Sequence, residues 1–368
     1  MAEPALRVAV TLEQCWHAVP GGTATSILRT VAALERRDDV RVVGVAARHK
    51  RPPRPGYRPN VPVRHLPLPR RVLYETWHVL RRPSVQRATG RVDVVHATTS
   101  AIPPRRGPLV VTVHDLAFLH APEHFSRNGN RFFRQGLDLT RREADLVLVP
   151  STETLDDCVR AGIGADRLRL VPWGVDPASV TDAQRDAVLR RHGLRYPYVL
   201  WCGTLEPRKN LPRLLAAFAA VADDVTDLDL VLVGPPGWGE AAGGGRRPPA
   251  DRVHTLGWVP DDELQALYAG ARAFAYPSLR EGFGMPVLEA MAHGVPVVTS
   301  TGTPMESLVG PAGVAVAATD LDALTAALHE VAGPGHDAFA AHAAPRAAEH
   351  TWEATAAATA AVYAEVAR

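Results

Sequence analysis

The stretch AFAYPSLREGFGMPVLEAMAHGVPVVTS, residues 273–300, decides how the rest of the chain reads. It opens with a short apolar run (273–278), passes a glycine-containing loop, continues as a helical pattern (PVLEAMAHG, 286–294) and returns to a β-branched run (VPVVTS, 295–300). Strand, helix and strand in that order predict a β-α-β unit, with a parallel sheet covered by helices. Working upstream, YVLWCG (198–203), LPRLLAAFAAVA (211–222), LDLVLVG (228–234), VHTLG (253–257) and DDELQALYAGA (261–271) extend the unit into a doubly wound domain. The first half repeats the alternation with strands at 6–11, 40–46, 92–97, 109–115 and 145–150 and helical patterns at 25–35, 126–142 and 152–161. The fold class is therefore α/β, with two Rossmann-like domains facing across a cleft toward which strand carboxyl ends and helix amino ends point. Residues 171–197 carry Gly, Pro and charges and hold the boundary, so domains are expected over 1–180 and 181–350, followed by an Ala-rich helix over 351–368. The Gly/Pro-rich loop from Gly234 to Arg252 is expected to be mobile.

A formal charge of +2 over 368 residues excludes a dedicated nucleic-acid binder. Cys15, Cys158 and Cys202 are odd in number and far apart, which fits neither a disulfide framework nor a zinc knuckle and points to a reducing cytosol. The start has no basic leader region, and no apolar stretch reaches the length of a membrane span. Charge clusters locally instead: from Arg48 to Arg82 there are ten basic residues against one acid, Glu75, on a proline-rich segment. That reads either as a solvated loop or as a peripheral patch for anionic lipid at the inner membrane face. Lysine is scarce, with only Lys50 and Lys209 present, so a retained lysine marks a place where a compact ammonium matters.

Three clusters could carry chemistry. In the loop 279–285, Gly282 and Gly284 allow close backbone approach and Pro286 suits a first helical turn, so the amides around Phe283, Gly284 and Met285 suit a phosphate. Glu289 on the helix and Glu281 on the loop suit hydroxyls on either side of it; the plainer alternative is a helix-dipole partner and a solvated loop charge. In CGTLEPRKN (202–210), Arg208 and Lys209 lie between a strand and a helix and suit diphosphate oxygens. In the first half, Gly21 and Gly22 in VPGGTATS form a loop permitting backbone approach, and His114 ends a buried strand, a position as compatible with a structural histidine as with a catalytic one. There is no phosphate-binding G-x-x-x-x-G-K-[ST] loop, and GPPGWG does not match the dinucleotide fingerprint.

Taken together, GTLEPRKNL, REGFGMPVLEAMAHGVPVVTS, the N-terminal glycine pair and VHDLAF resemble the family 4 glycosyltransferases of the GT-B fold, over nearly the whole chain. The resemblance implies retaining transfer of a sugar from a nucleotide-sugar, with mannose from GDP-mannose first and UDP-sugars next, to a glycan, lipid-linked or small-molecule acceptor. It implies no tightly bound cofactor and no required metal. By the same likeness Arg208 and Lys209 bind the donor diphosphate, Glu281 the sugar hydroxyls and Glu289 the ribose. His114 approaches the transferred sugar, Gly21, Gly22 and Gly234 belong to the donor site, and the last helix crosses back to the N-terminal domain. Two departures stand out: Thr204 lies where several relatives carry a second arginine, and Trp173 where asparagine is common. An epimerase or phosphorylase on the same fold, or a non-catalytic nucleotide-sugar binder, are the competing readings.

Overall fold

A computed structural model describes residues 5–177, 179–237 and 246–368. Residues 238–245 of the glycine-rich loop, expected to be mobile, lie outside the described residues. The chain divides into two units, one made of 1–174 with 351–368 and the other of 175–350. The division falls between Gly174 and Val175, earlier than the boundary expected after 180.

Unit 1 contains strands β1 (Leu6–Thr11), β2 (Val40–Ala46), β3 (Val63–His65), β4 (Val94–Ala97), β5 (Leu109–Thr112), β6 (Leu146–Val149) and β7 (Leu168–Leu170), in the order β3-β2-β1-β4-β5-β6-β7. Every pairing is parallel, with β1 on β2 running from Leu6↔Val40 to Thr11↔Val45. The strands VVHA and LVLV are buried on both faces, which is why LVLV reads as an unbroken apolar run and VVHA as one interrupted only by His96. Helix Trp352–Ala367 is part of this unit and packs beside helix Gly21–Leu34. Where the chain enters that last helix, Gly174 lies so close to Thr351 and Trp352 that a Cβ would collide with their backbone.

Unit 2 contains β8 (Tyr198–Cys202), β9 (Asp229–Val233), β10 (Val253–Gly257), β11 (Ala273–Tyr276), β12 (Val297–Ser300) and β13 (Gly313–Val316), all parallel, in the order β10-β9-β8-β11-β12-β13. Successive strands march outward from β8 to β10, after which the chain returns to the other side of β8 with β11. The crevice at the carboxyl ends of β8 and β11 is thus the topological switch point, where open α/β sheets take ligands. The corresponding point of unit 1 lies between β1 and β4.

The segment 171–197, read as holding the boundary and given no helix, contains helix Asp182–Arg191, started by a capping box in which Thr181 and Gln184 satisfy each other's backbone N–H groups. Gly21 and Gly22 are likewise not in a loop: they form the first turn of helix Gly21–Leu34, which begins ahead of the expected residue 25. Gly21 has φ +63°, a left-handed entry that glycine makes without a steric penalty.

Candidate active site

The switch point of unit 2 gathers residues far apart in the chain. After β8 the chain turns through Pro207–Lys209, and Asn210 takes a left-handed conformation before helix Leu211–Asp224. The Asn210 amide donates to Pro277 O (3.0 Å) and Ala318 O (2.8 Å), fastening this turn to the loop that follows β11. Leu279 N donates to Arg208 O at 2.8 Å, a second fastening. Lys209 is consequently only 6% exposed, and its ammonium donates to the Tyr276 hydroxyl and to Glu281 Oε1, the latter at 2.5 Å. Arg208 donates from Nε to Glu206 Oε2 (2.7 Å) and from a terminal nitrogen to Glu281 Oε2 (2.9 Å). Two cations and two carboxylates thus interlock in a cluster from which bulk water is largely excluded.

The electrostatics follow from that packing. Burial alone would raise the Glu281 carboxyl, but the charges of Arg208 and Lys209 outweigh it and bring the group down to about 2. Burial lowers the Lys209 ammonium, aided by Arg208 and opposed by Glu281. Burial, followed by the Glu281 charge, pushes the Tyr276 hydroxyl well above its ordinary range, so it stays neutral. Each carboxylate oxygen of Glu281 has spent one lone pair on a cation and retains capacity for a further donor.

Beside the cluster, helix Met285–Ala292 starts at Gly284, whose φ of +113° and whose contact with Met305 both exclude a side chain. The N–H groups of Gly284 and Met285 have no hydrogen-bond partner among the described residues, so a helix amino end with unmet donors adjoins the cations. The side chains of Phe283 and Met285 are buried, which leaves their backbone as the part suited to a ligand. Glu289, on this helix, accepts from the Tyr268 hydroxyl at 3.1 Å near the end of β8. Gly234 has a packing reason of its own: a Cβ there would collide with the carbonyl of Gly203.

His114 belongs to unit 1. Its Nε2 is 2.7 Å from Thr98 O, and because a carbonyl only accepts, Nε2 carries the proton. Burial lowers its pKa, partly offset by the Thr98 bond and Asp115, so the ring is neutral at neutral pH and Nδ1 presents a lone pair. That Nδ1 is buried with no partner among the described residues. Trp173 packs against the ring with centroids 5.2 Å apart. Thr98 is in turn held at the switch point of the first sheet, its N–H donating to Thr11 Oγ1 at 2.9 Å. Behind it, His96 bridges the Tyr363 hydroxyl and the Thr112 hydroxyl, both at 2.7 Å. A cavity of about 30 Å³, enough for a water molecule, lies among His96, Thr98, His114 and Tyr363. Gly21 and Gly22 are exposed, and a Cβ on either meets nothing within contact distance. Among the described residues no group of three or more His, Cys, Asp or Glu side chains is arranged to hold a metal ion.

Residues 20–179 match the family described as Glycosyltransferase Family 4, and residues 196–333 match Glycosyl transferases group 1. The chain is 30% identical to the D-inositol 3-phosphate glycosyltransferase of Actinosynnema mirum over 94% of its own length and 92% of that protein's. The chain belongs to the family 4 glycosyltransferases. A further relative of this family member, the O-antigen chain mannosyltransferase B of Escherichia coli, is 34% identical over 63% of this chain, and the match spans 63% of that protein. In fold, this family 4 chain is similar to the crystal structure of Anabaena Alr3699/HepE in complex with UDP and glucose, with a TM-score of 0.72 at 19% identity over 98% of this chain and 100% of that one. The two parallel-sheet halves are those of the GT-B fold.

Within this family 4 site, sequence reading brings forward Arg208, Lys209, Glu281, Glu289 and His114 but not Glu206, Tyr276, His96, Thr98 or Tyr363. Glu206 carried a signal, since it adjoins the basic pair in EPRK. Tyr276 and His96 look like ordinary strand residues, and only the sheet order reveals that they meet Lys209 and Tyr363.

Proposed function

We propose that the chain is a retaining glycosyltransferase that moves a hexose, mannose from GDP-mannose in the first instance, from a nucleotide-sugar to a hydroxylated acceptor. One observation carries this reading: Arg208, Lys209 and Glu281 interlock at the switch point of unit 2 beside the unmet amides of helix Met285–Ala292. As the glycosidic bond breaks, the leaving diphosphate gains negative charge. Cations and amides already fixed there, away from water, stabilise that charge more than the ground state. Glu281, held ionised, accepts from sugar hydroxyls, and Glu289 from the ribose. His114 Nδ1 accepts from a substrate hydroxyl, while backbone around Gly21, Gly22 and Gly234 completes the contacts with the donor. Attack on the face from which the diphosphate departs accounts for retention, the phosphate taking the acceptor's proton. The mannose assignment draws on the names of relatives such as the O-antigen chain mannosyltransferase. No required metal and no tightly bound cofactor enter the scheme. Incubation with GDP-mannose, UDP-glucose and other nucleotide-sugars tests it by slow donor hydrolysis. Proton NMR of a linked product with inverted anomeric configuration would exclude the retaining scheme.

We also propose peripheral membrane contact through residues 48–82. No described helix is long and apolar enough to cross a membrane, but Val72, Val79 and Leu80 are exposed next to Arg71 and Arg82, the pairing an interfacial segment needs. Equal sedimentation with neutral and anionic liposomes at low salt would refute it.

A further inference from the structure

Under the arginine- and proline-rich segment of unit 1 lies a cavity of about 400 Å³, lined by residues to which no part in sugar transfer is assigned above. Its wall is built from below. Glu13, 5% exposed, accepts from Ala47 N at 2.7 Å and pairs with His49 Nε2 at 2.8 Å, which sets the imidazole. Trp16 stacks on that ring, centroids 4.8 Å apart and planes 11° from parallel, and His65 meets Trp16 edge-on at 5.6 Å. The Trp16 indole donates to Arg51 O at 3.0 Å, tying the cationic segment to the aromatic wall. Lys50, Arg51 and Arg58 line the cavity, and none of the three has a carboxylate partner among the described residues. Elsewhere the surface arginines are commonly paired, as in Arg37 with Asp39 and Arg105 with Asp145. No acid among the described residues lines the cavity, and Glu13, which holds His49, is already committed to His49 and Ala47.

Unneutralised cations around a volume of this size call for an anion, and a rigid aromatic wall calls for a ring to lie against it. We propose that this cavity binds a phosphate carried on a hydroxylated ring, with Lys50, Arg51 and Arg58 holding the phosphate and the Trp16 wall holding the ring. The proposal rests on the transferase reading and deepens it: the acceptor is a phosphorylated sugar or polyol, either free or as a lipid headgroup. Both carriers offer the same chemistry to the site.

Calorimetric titration of the full chain with glucose 6-phosphate and with glucose reads the cavity without any donor. Saturable binding of the phosphate ester, with none of glucose, is expected. Lys50→Ser/Arg58→Ser, at two exposed positions, is expected to weaken it by at least about tenfold, and Trp16→Leu to bring its affinity down to that of inorganic phosphate. Lys209→Ala is expected to leave it unchanged. Wild-type affinity in the double variant, or loss of binding in Lys209→Ala, overturns the assignment. Failure of nucleotide-sugar hydrolysis overturns the transferase reading while leaving this titration interpretable. Vesicles of phosphatidylcholine with phosphatidylinositol, against phosphatidylcholine alone, identify the carrier. Competition with glucose 6-phosphate by the former supports the site with a headgroup occupant, and its absence supports the site with a free sugar phosphate.

Discussion

Glu281→Gln separates what the carboxylate does for the fold from what it does for a ligand. Lowering its pKa from 4.5 to about 2 corresponds to about 3 kcal/mol of stabilisation at neutral pH. An amide of the same shape loses that term and turns its NH2 toward one of the two cations, so the variant should be less stable by about that amount at pH 7. A depressed carboxyl stabilises above its unfolded value, and the contribution fades as pH falls toward the folded one. The gap between wild type and variant should therefore narrow by about 1 kcal/mol at pH 4 and about 2 kcal/mol at pH 3. Ligand binding should move the other way. With Glu281 neutral, Arg208 and Lys209 face only Glu206, so the nucleoside diphosphate should bind at least as tightly while turnover falls, because the lost sugar contact matters most in the transition state. Urea unfolding across pH gives the first quantity, and calorimetry with GDP or UDP the second. A gap independent of pH, or a variant whose diphosphate affinity drops tenfold alongside its stability, would refute the reasoning.

Lys209→Ala should weaken nucleoside diphosphate binding by about 10- to 150-fold with little change for the nucleoside. Lys209→Arg should also impair activity, because the buried space between Tyr276 and Glu281 holds an ammonium and not a guanidinium; calorimetry and donor hydrolysis check both. Tyr363→Phe leaves one nitrogen of buried His96 unpaired and should cost about 1–3 kcal/mol in urea unfolding. Burial holds His96 at about 3, below its ordinary 6.5, so its neutral form contributes stability above pH 6.5 that is lost as the pH falls toward 3; a shallower fall in stability from pH 7 to 5 in His96→Gln than in wild type would show it. Gly22→Ala should leave the melting temperature unchanged or slightly raised, since a Cβ meets nothing and alanine suits a helical turn better than glycine, and lower donor affinity if backbone approach is the reason for glycine there; unchanged affinity removes Gly22 from the site.

The buried strands were legible because two-sided burial writes itself as runs of Val and Leu, as in LVLV of β6 and the LVLV of β9. The strands that escaped, β3, β7 and β13, have only three or four residues and lie at sheet edges, and VRH in β3 is mostly exposed. Helix Asp182–Arg191 hid because its residues are largely charged, with Val188 and Leu189 its only buried ones. At the site, spacing shows that Arg208, Lys209 and Glu281 each follow a strand; it does not show that β8 and β11 are neighbours. That adjacency turns three solvated charges into an interlocked cluster. His96 could not be singled out, because its partner Tyr363 is 267 residues away.

That separation bears on the order in which the protein can be completed as it is synthesised. Unit 2 is one uninterrupted segment, 175–350, so the ribosome delivers all of it before the final helix. Unit 1 begins before unit 2 and is finished after it: Thr355, Thr359 and Tyr363, which wall the space behind His114, follow all of unit 2 in the chain. Until they emerge, the apolar and hydroxyl groups they cover on the first sheet stay open to water. Interruption of the chain within helix Trp352–Ala367 therefore damages unit 1 and leaves the cluster around Lys209 in unit 2 intact.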